Sequence, residues 1–329
     1  MMMNKTVKRV LAGMICAVSG MSLLTGCGSS EVSAATTGKT YKMAYVVSTR
    51  DEYLGLLEDA VKKAADEKNV AIDVFYAGTD SLKMIDCVEA AKNKGNDAVL
   101  INLNAAEEAQ ACIEAAGDMK VVFVNRVPSD YSVLSENAAA VASDENTSGK
   151  YQGEYLAEYF KKEGKTDVSY LLLRGTDGLV HTTLRTEGAL NAMKAAGLNL
   201  TEAAVIDADY DRNTAKNEMD NILPNVSFDC IISNNDAMAI GAIMALKDAG
   251  IDPAGVPIVG IDATADGRAA IEAGEMNMTV FQSPDGQAYG SVAAALNMLE
   301  GKPLAEGTEC ETAQDSPYVL YYPFVPVTK

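Results

Sequence analysis

The sequence predicts an α/β protein of two similar domains, each a parallel sheet covered by helices on both faces. Three observations predict it. Short β-branched runs alternate with amphipathic segments of helical period, and a strand–helix–strand order needs crossovers that place helices on both faces of a parallel sheet. The alternation pauses once, after Val124, and a second series starts at Gly149. The chain has 329 residues, which is length enough for two domains with a crevice between them.

The first series opens with a strand at Met43–Val47 and a helix at Tyr53–Asp66 whose Leu56, Leu57, Ala60, Val61 and Ala64 face inward. It continues through strand Val70–Phe75, helix Leu82–Asn93, strand Ala98–Leu103, helix Glu107–Ala116 and strand Val121–Val124. Asn125–Asn137 has no periodicity and reads as a loop, followed by a short strand at Ala138–Ala142. The second series starts with helix Gly149–Lys162. It then runs strand Val168–Leu173, helix Thr186–Ala196, strand Ala204–Ile206 and helix Thr214–Leu223. Cys230-Ile231-Ile232 reads as a buried parallel strand. Ser233–Asp236 is a tight polar turn after it, with Asp236 as N-cap of a helix carrying Met238, Ile240, Ile243, Met244 and Leu246 at helical spacing. Strand Ile258–Ile261, helix Ala265–Ala273, strand Met278–Phe281 and helix Ser291–Leu299 follow. The tail Tyr318–Thr328 is β-rich but broken by Pro323 and Pro326, and is expected to cross between domains.

Residues 1–26 read as a signal peptide. Lys5, Lys8 and Arg9 form its positive end and Val10–Leu24 its apolar stretch, too short and too broken for a membrane span. Leu24-Thr25-Gly26-Cys27 resembles the lipobox of bacterial lipoproteins, which implies cleavage before Cys27 and a lipid on its sulfur. Residues 27–40 are small and polar, a flexible tether. The net charge is −19, from 27 basic and 46 acidic residues; removal of the three basic residues of the signal leaves 24 − 46 = −22. Such a chain repels nucleic acid and anionic membrane surfaces and suits a neutral small ligand.

Cys87, Cys112, Cys230 and Cys310 remain after processing. They form no CxxC and no Cys/His cluster, so no metal site is signalled, and Cys87 and Cys112 are expected as buried free thiols. No glycine-rich phosphate loop, no nucleophile elbow and no HExxH occurs, and His181 is the only histidine. No cofactor is implied.

Polar and aromatic residues instead gather just beyond predicted strand ends: Asp51 and Tyr53, Asn125, His181 and Arg185, Asp209 and Tyr210, Asn235, Asp262, and Gln282. In parallel α/β sheets these positions share one rim, where ligands bind. Carboxylates, amides and a guanidinium beside two tyrosines make a polar cleft with aromatic walls.

Val124-Asn125 with Pro128-Ser129, Leu173–Gly175 with Arg185, Asn234-Asn235-Asp236-Ala237-Met238-Ala239, Val259-Gly260-Ile261-Asp262 and Thr279-Val280 resemble motifs of the type I periplasmic sugar-binding proteins of ABC importers, closest to the glucose/galactose-binding branch. The resemblance spans Tyr41 to Lys329. It implies two Rossmann-like lobes, 41–143 plus 282–322 and 144–281 plus 323–329, joined by a three-segment hinge. It implies that Tyr53 and Tyr210 sandwich a sugar ring, that Asp51 and Asp262 accept from its hydroxyls, and that Asn125, Asn235, Arg185 and Gln282 complete the grip. His181 stands where the branch usually has an aspartate, and Leu179 where it has a histidine, so the sugar is left open. The branch's calcium loop should lie near Glu163–Asp167, which is too short here for one. The implied protein is a lipid-anchored, extracytoplasmic, monomeric binding protein that delivers a monosaccharide to a membrane permease. A nucleoside or a furanose signal remains an alternative ligand. A glycoside-acting enzyme using Asp51 and Asp262 is a further alternative that nothing else in the sequence supports.

Overall fold

The computed structural model describes residues 40–329, and the signal peptide, Cys27 and tether readings lie outside the described residues. In chain order the first series is β1 (Lys42–Val47), α1 (Glu52–Glu67), β2 (Ala71–Tyr76), α2 (Ser81–Asn93), β3 (Ala98–Ile101), α3 (Ala109–Ala116), β4 (Lys120–Val124) and β5 (Ala138–Ala142). The second is α4 (Glu145–Lys162), β6 (Asp167–Arg174), α5 (Val180–Ala195), β7 (Asn199–Asp207), α6 (Arg212–Ile222), β8 (Cys230–Ser233), α7 (Asp236–Asp248), β9 (Ile258–Val259), α8 (Ala265–Ala273) and β10 (Met278–Phe281). Helix α9 (Pro284–Glu300) and strands β11 (Glu311–Thr312), β12 (Val319–Tyr321) and β13 (Val325–Thr328) close the chain.

Two sheets result. The first runs β11-β12-β5-β4-β3-β1-β2 and the second β13-β10-β9-β8-β6-β7. Each is parallel except for one antiparallel edge strand, β11 on β12 and β13 on β10. Register is set by fully buried strands: Met43 pairs with Ala98 and Val46 with Ile101, and Leu171 with Ile231. Met43 to Val47 are all completely buried, as expected where helices cover both faces. One core lies on each face of each sheet. The chain passes between the sheets three times, after β5, after β10 and between β12 and β13.

Several local expectations are corrected. Helix α5 starts six residues before the expected Thr186, so His181 and Arg185 sit on the helix and not in a loop ahead of it. The reason is tertiary. Helix α4 packs so closely on α5 that a Cβ at Gly149 would lie 2.1 Å from the Arg185 carbonyl oxygen, and one at Gly153 2.2 Å from that of Ala189. Helix α9 starts at Pro284 and not Ser291: proline is well placed in a first turn, and Ser283 caps it by accepting from Gly286. Asn235, not Asp236, is the N-cap of α7, its side chain accepting from the Met238 N–H. Leu56 is 46% exposed, because α1 buries the stripe Tyr53, Leu54, Leu57, Val61 and Ala64 instead. Cys87 is half-buried while Cys112 is fully buried; both are free thiols.

Candidate ligand-binding site

The carboxyl ends of β1, β4, β6, β7, β8, β9 and β10 point into one cleft between the sheets. Asp51 is the N-cap of α1, its Oδ1 accepting from the Leu54 N–H at 2.7 Å. Burial raises its pKa, opposed by that N–H and by the Arg126 charge. Tyr53, two residues on, is buried, and its hydroxyl has no hydrogen-bond partner among the described residues. Asn125 follows β4 in a left-handed conformation, φ 69°, and its amide donates to Gln287 Oε1 at 3.2 Å.

From the other sheet, the first turns of α5 supply His181 and Arg185. The His181 ring stacks on Tyr210, centroids 5.3 Å apart. Desolvation and the Arg126 and Arg185 charges hold its pKa well below the usual histidine value, so it is a neutral imidazole at pH 7. Arg185 is 4% exposed and makes a bidentate pair with Glu145, Nε to Oε2 at 2.7 Å and Nη2 to Oε1 at 2.8 Å. Its third arm donates to the Asn234 carbonyl at 2.8 Å. Burial alone would lower the guanidinium pKa; the Glu145 carboxylate outweighs it and the value rises. The ion-pair partner of Arg185 is Glu145, forty residues earlier in the chain.

Tyr210 has φ 62°, and its hydroxyl shares a 2.7 Å hydrogen bond with Thr182. The Asn235 amide donates to the Tyr210 carbonyl at 3.3 Å. Asp262 has φ 112° and is 5% exposed. Burial pushes its pKa well up, against the pull of Arg185. Gln282 is buried, accepting from Arg185 at 3.4 Å and donating to Glu145 at 3.5 Å. Asp51, Tyr53, Asn125, His181, Arg185, Tyr210, Asn235, Asp262 and Gln282 all line one cavity, with Leu54 and Arg126. Two carboxylates and a neutral imidazole accept, two guanidinium groups donate, three amides do both, and two phenol rings supply apolar faces. That set matches a ring bearing several hydroxyl groups.

A model of the periplasmic binding protein domain matches residues 43–303. The chain belongs to the periplasmic binding protein family. Relatives of this chain include a ribose import binding protein of Salmonella typhimurium, and proteins of the family act outside the cytoplasm and are not enzymes. A Rhizobium meliloti protein whose name assigns it to rhizopine binding is 32% identical over 279 residues, covering 83% of this chain and 79% of the relative. The D-galactose/methyl-galactoside binding periplasmic protein of Haemophilus influenzae is 28% identical over 328 residues, covering 95% and 96%. Among solved structures, an ABC transporter solute binding protein from Bacillus halodurans with bound myo-inositol superimposes with a TM-score of 0.74 at 26% identity, covering 88% of this chain and 94% of that one.

In this periplasmic binding protein, sequence reasoning left Arg126 out of the ligand-facing set. It is 8% exposed; Nη1 donates to Ser48 Oγ at 3.0 Å and to the Leu103 carbonyl at 2.9 Å, and Nε has no partner among the described residues. Burial lowers its pKa, although Asp51 pulls the other way. The available signal was its place directly after Asn125 at a strand end. What turns it inward is the left-handed backbone at Asn125, which no local pattern announces. Asp236, the supposed cap, is fully buried and does structural work: it accepts from the Thr264 N–H at 2.8 Å and the Thr279 hydroxyl at 2.6 Å. Among the described residues no group of three or more His, Cys, Asp or Glu is placed to hold a metal ion, and no helix is long and apolar enough to cross a membrane.

Proposed function

We propose that the protein captures one uncharged sugar ring of the glucose/galactose class in the cleft between its sheets and hands it to a membrane permease while tethered by a lipid on Cys27. In this reading the lobes 41–143 plus 282–322 and 144–281 plus 323–329 swing about the three chain passages and close on the guest. Tyr53 and Tyr210 cover the ring faces. Asp51, Asp262 and His181 accept from hydroxyls, and Asn125, Arg185, Asn235 and Gln282 donate to ring and hydroxyl oxygens. The observation that carries the reading is the convergence of these nine side chains, from seven strand ends in two sheets, on one cavity. In this reading the protein binds as a monomer, with every residue of the set on one chain. A cyclic polyol without an anomeric centre is the second reading, favoured by the structural neighbour with bound myo-inositol.

Thermal unfolding of the purified protein with galactose, glucose, ribose, a nucleoside and myo-inositol tests both. A ligand at a hundred times its dissociation constant adds about 2.7 kcal/mol of stability. A saturable shift with glucose or galactose that is lost in Asp262→Ala and Asn235→Ala supports the first reading. A shift with myo-inositol alone supports the second, and no shift with any of the panel overturns both.

A further inference from the structure

A larger cavity adjoins the inner one. It has a volume of about 580 Å³ and is walled by both sheets' loops, with Asp51, Arg126 and Tyr210 shared between the two spaces. Of ten buried side-chain nitrogen and oxygen atoms without a hydrogen-bond partner among the described residues, five belong to residues lining this one cavity: both amide atoms of Asn104, Glu108 Oε2, Arg126 Nε and Arg212 Nε. Native proteins pair nearly all buried polar groups, so such a concentration around one cavity marks a place where a partner is supplied from outside the chain. Arg126 is the best placed, 8% exposed and on the partition between the two cavities.

The orphans fix the chemistry. Three are donors and two are acceptors, interleaved, which suits hydroxyl groups that give and take a hydrogen bond. The lining carries five carboxylates against three arginines, so a phosphate or carboxylate guest would be repelled. Arg212, on α6, holds Glu52 of α1 at 2.8 Å and Asp266 of α8 at 2.6 Å, and so ties the two sides of the outer cavity together.

We infer that the outer cavity is a second subsite for a neutral, polyhydroxylated unit joined to the ring held by the inner residues, so that the preferred guest is a glycoside of two sugar units. The inference rests on the sugar-binding reading above. As the lobes part, the guest enters with one ring against Tyr210 and the second beside Asn104, Glu108 and the Nε edges of Arg126 and Arg212.

Calorimetry of the full chain with glucose, galactose, maltose, cellobiose, lactose and melibiose decides it. At least one disaccharide binds tenfold or more tightly than its parent monosaccharide. Asn104→Ala removes that gain with monosaccharide affinity held within twofold, and Thr79→Trp, which fills the outer cavity, does the same by bulk. Disaccharide binding without monosaccharide binding also supports the second subsite. If monosaccharides bind and no disaccharide binds more tightly, the subsite is refuted while the sugar-binding reading stands. If no sugar in the panel binds, the sugar reading fails and the subsite with it.

Discussion

Replacing Glu145 by Gln removes one charge from a buried ion pair and leaves Arg185 as an uncompensated cation. Both residues are nearly inaccessible, 4% for Arg185 and 8% for Glu145, so solvent does not screen the loss. Breaking such a pair costs about 3–5 kcal/mol. Gln keeps one oxygen that accepts from the guanidinium and recovers about 1 kcal/mol, but its NH₂ meets a donor of Arg185. The net expectation is about 3 kcal/mol of lost stability. With a urea slope of about 3 kcal/mol/M, the midpoint falls by about 1 M. Urea denaturation followed by circular dichroism measures it. A companion variant with Met at both Glu145 and Arg185 should regain most of the loss, because a packed apolar pair needs no desolvation of charge. A midpoint shift below about 0.3 M for Glu145→Gln would mean that the pair behaves as a surface ion pair, and would refute the reasoning.

Asp236 gives a pH prediction. Its folded pKa is raised to about 7 from 3.8, chiefly by burial. The folded state therefore holds a proton that the unfolded state gives up, and the contribution is full below about pH 4 and lost as pH rises to about 7. It amounts to at most about 4 kcal/mol across that window. Urea midpoints between pH 4.5 and 7.5 should fall more steeply for the natural protein than for Asp236→Asn; parallel slopes would count against the assignment. Gly175→Ala tests the aromatic wall, since its Cβ would lie 2.0 Å from Cζ of Tyr210 and must push the ring out of the cavity lining. Sugar affinity measured by calorimetry should drop at least about tenfold, or about 1.4 kcal/mol, and an unchanged affinity would show that Tyr210 does not face the guest.

The alternation of β-branched runs with helical stripes carried the fold class, the order of elements and the rim on which the polar residues lie. Those signals are local: a period of two or of 3.6 is written into consecutive residues, and in a parallel sheet every strand end following such a run faces the same way. This is why Asp51, Asn125, Asn235 and Asp262 were readable as members of one rim from four separate stretches. The tertiary structure alone decided the rest. It set where α5 begins, through glycines of α4 that let two backbones touch. It paired Arg185 with Glu145, forty residues away, and turned Arg126 inward through a left-handed Asn125. It also gathered five unpaired polar atoms around the outer cavity. These are through-space events between groups far apart in the chain, and the energy that selects them belongs to the packed whole and to no window of consecutive residues.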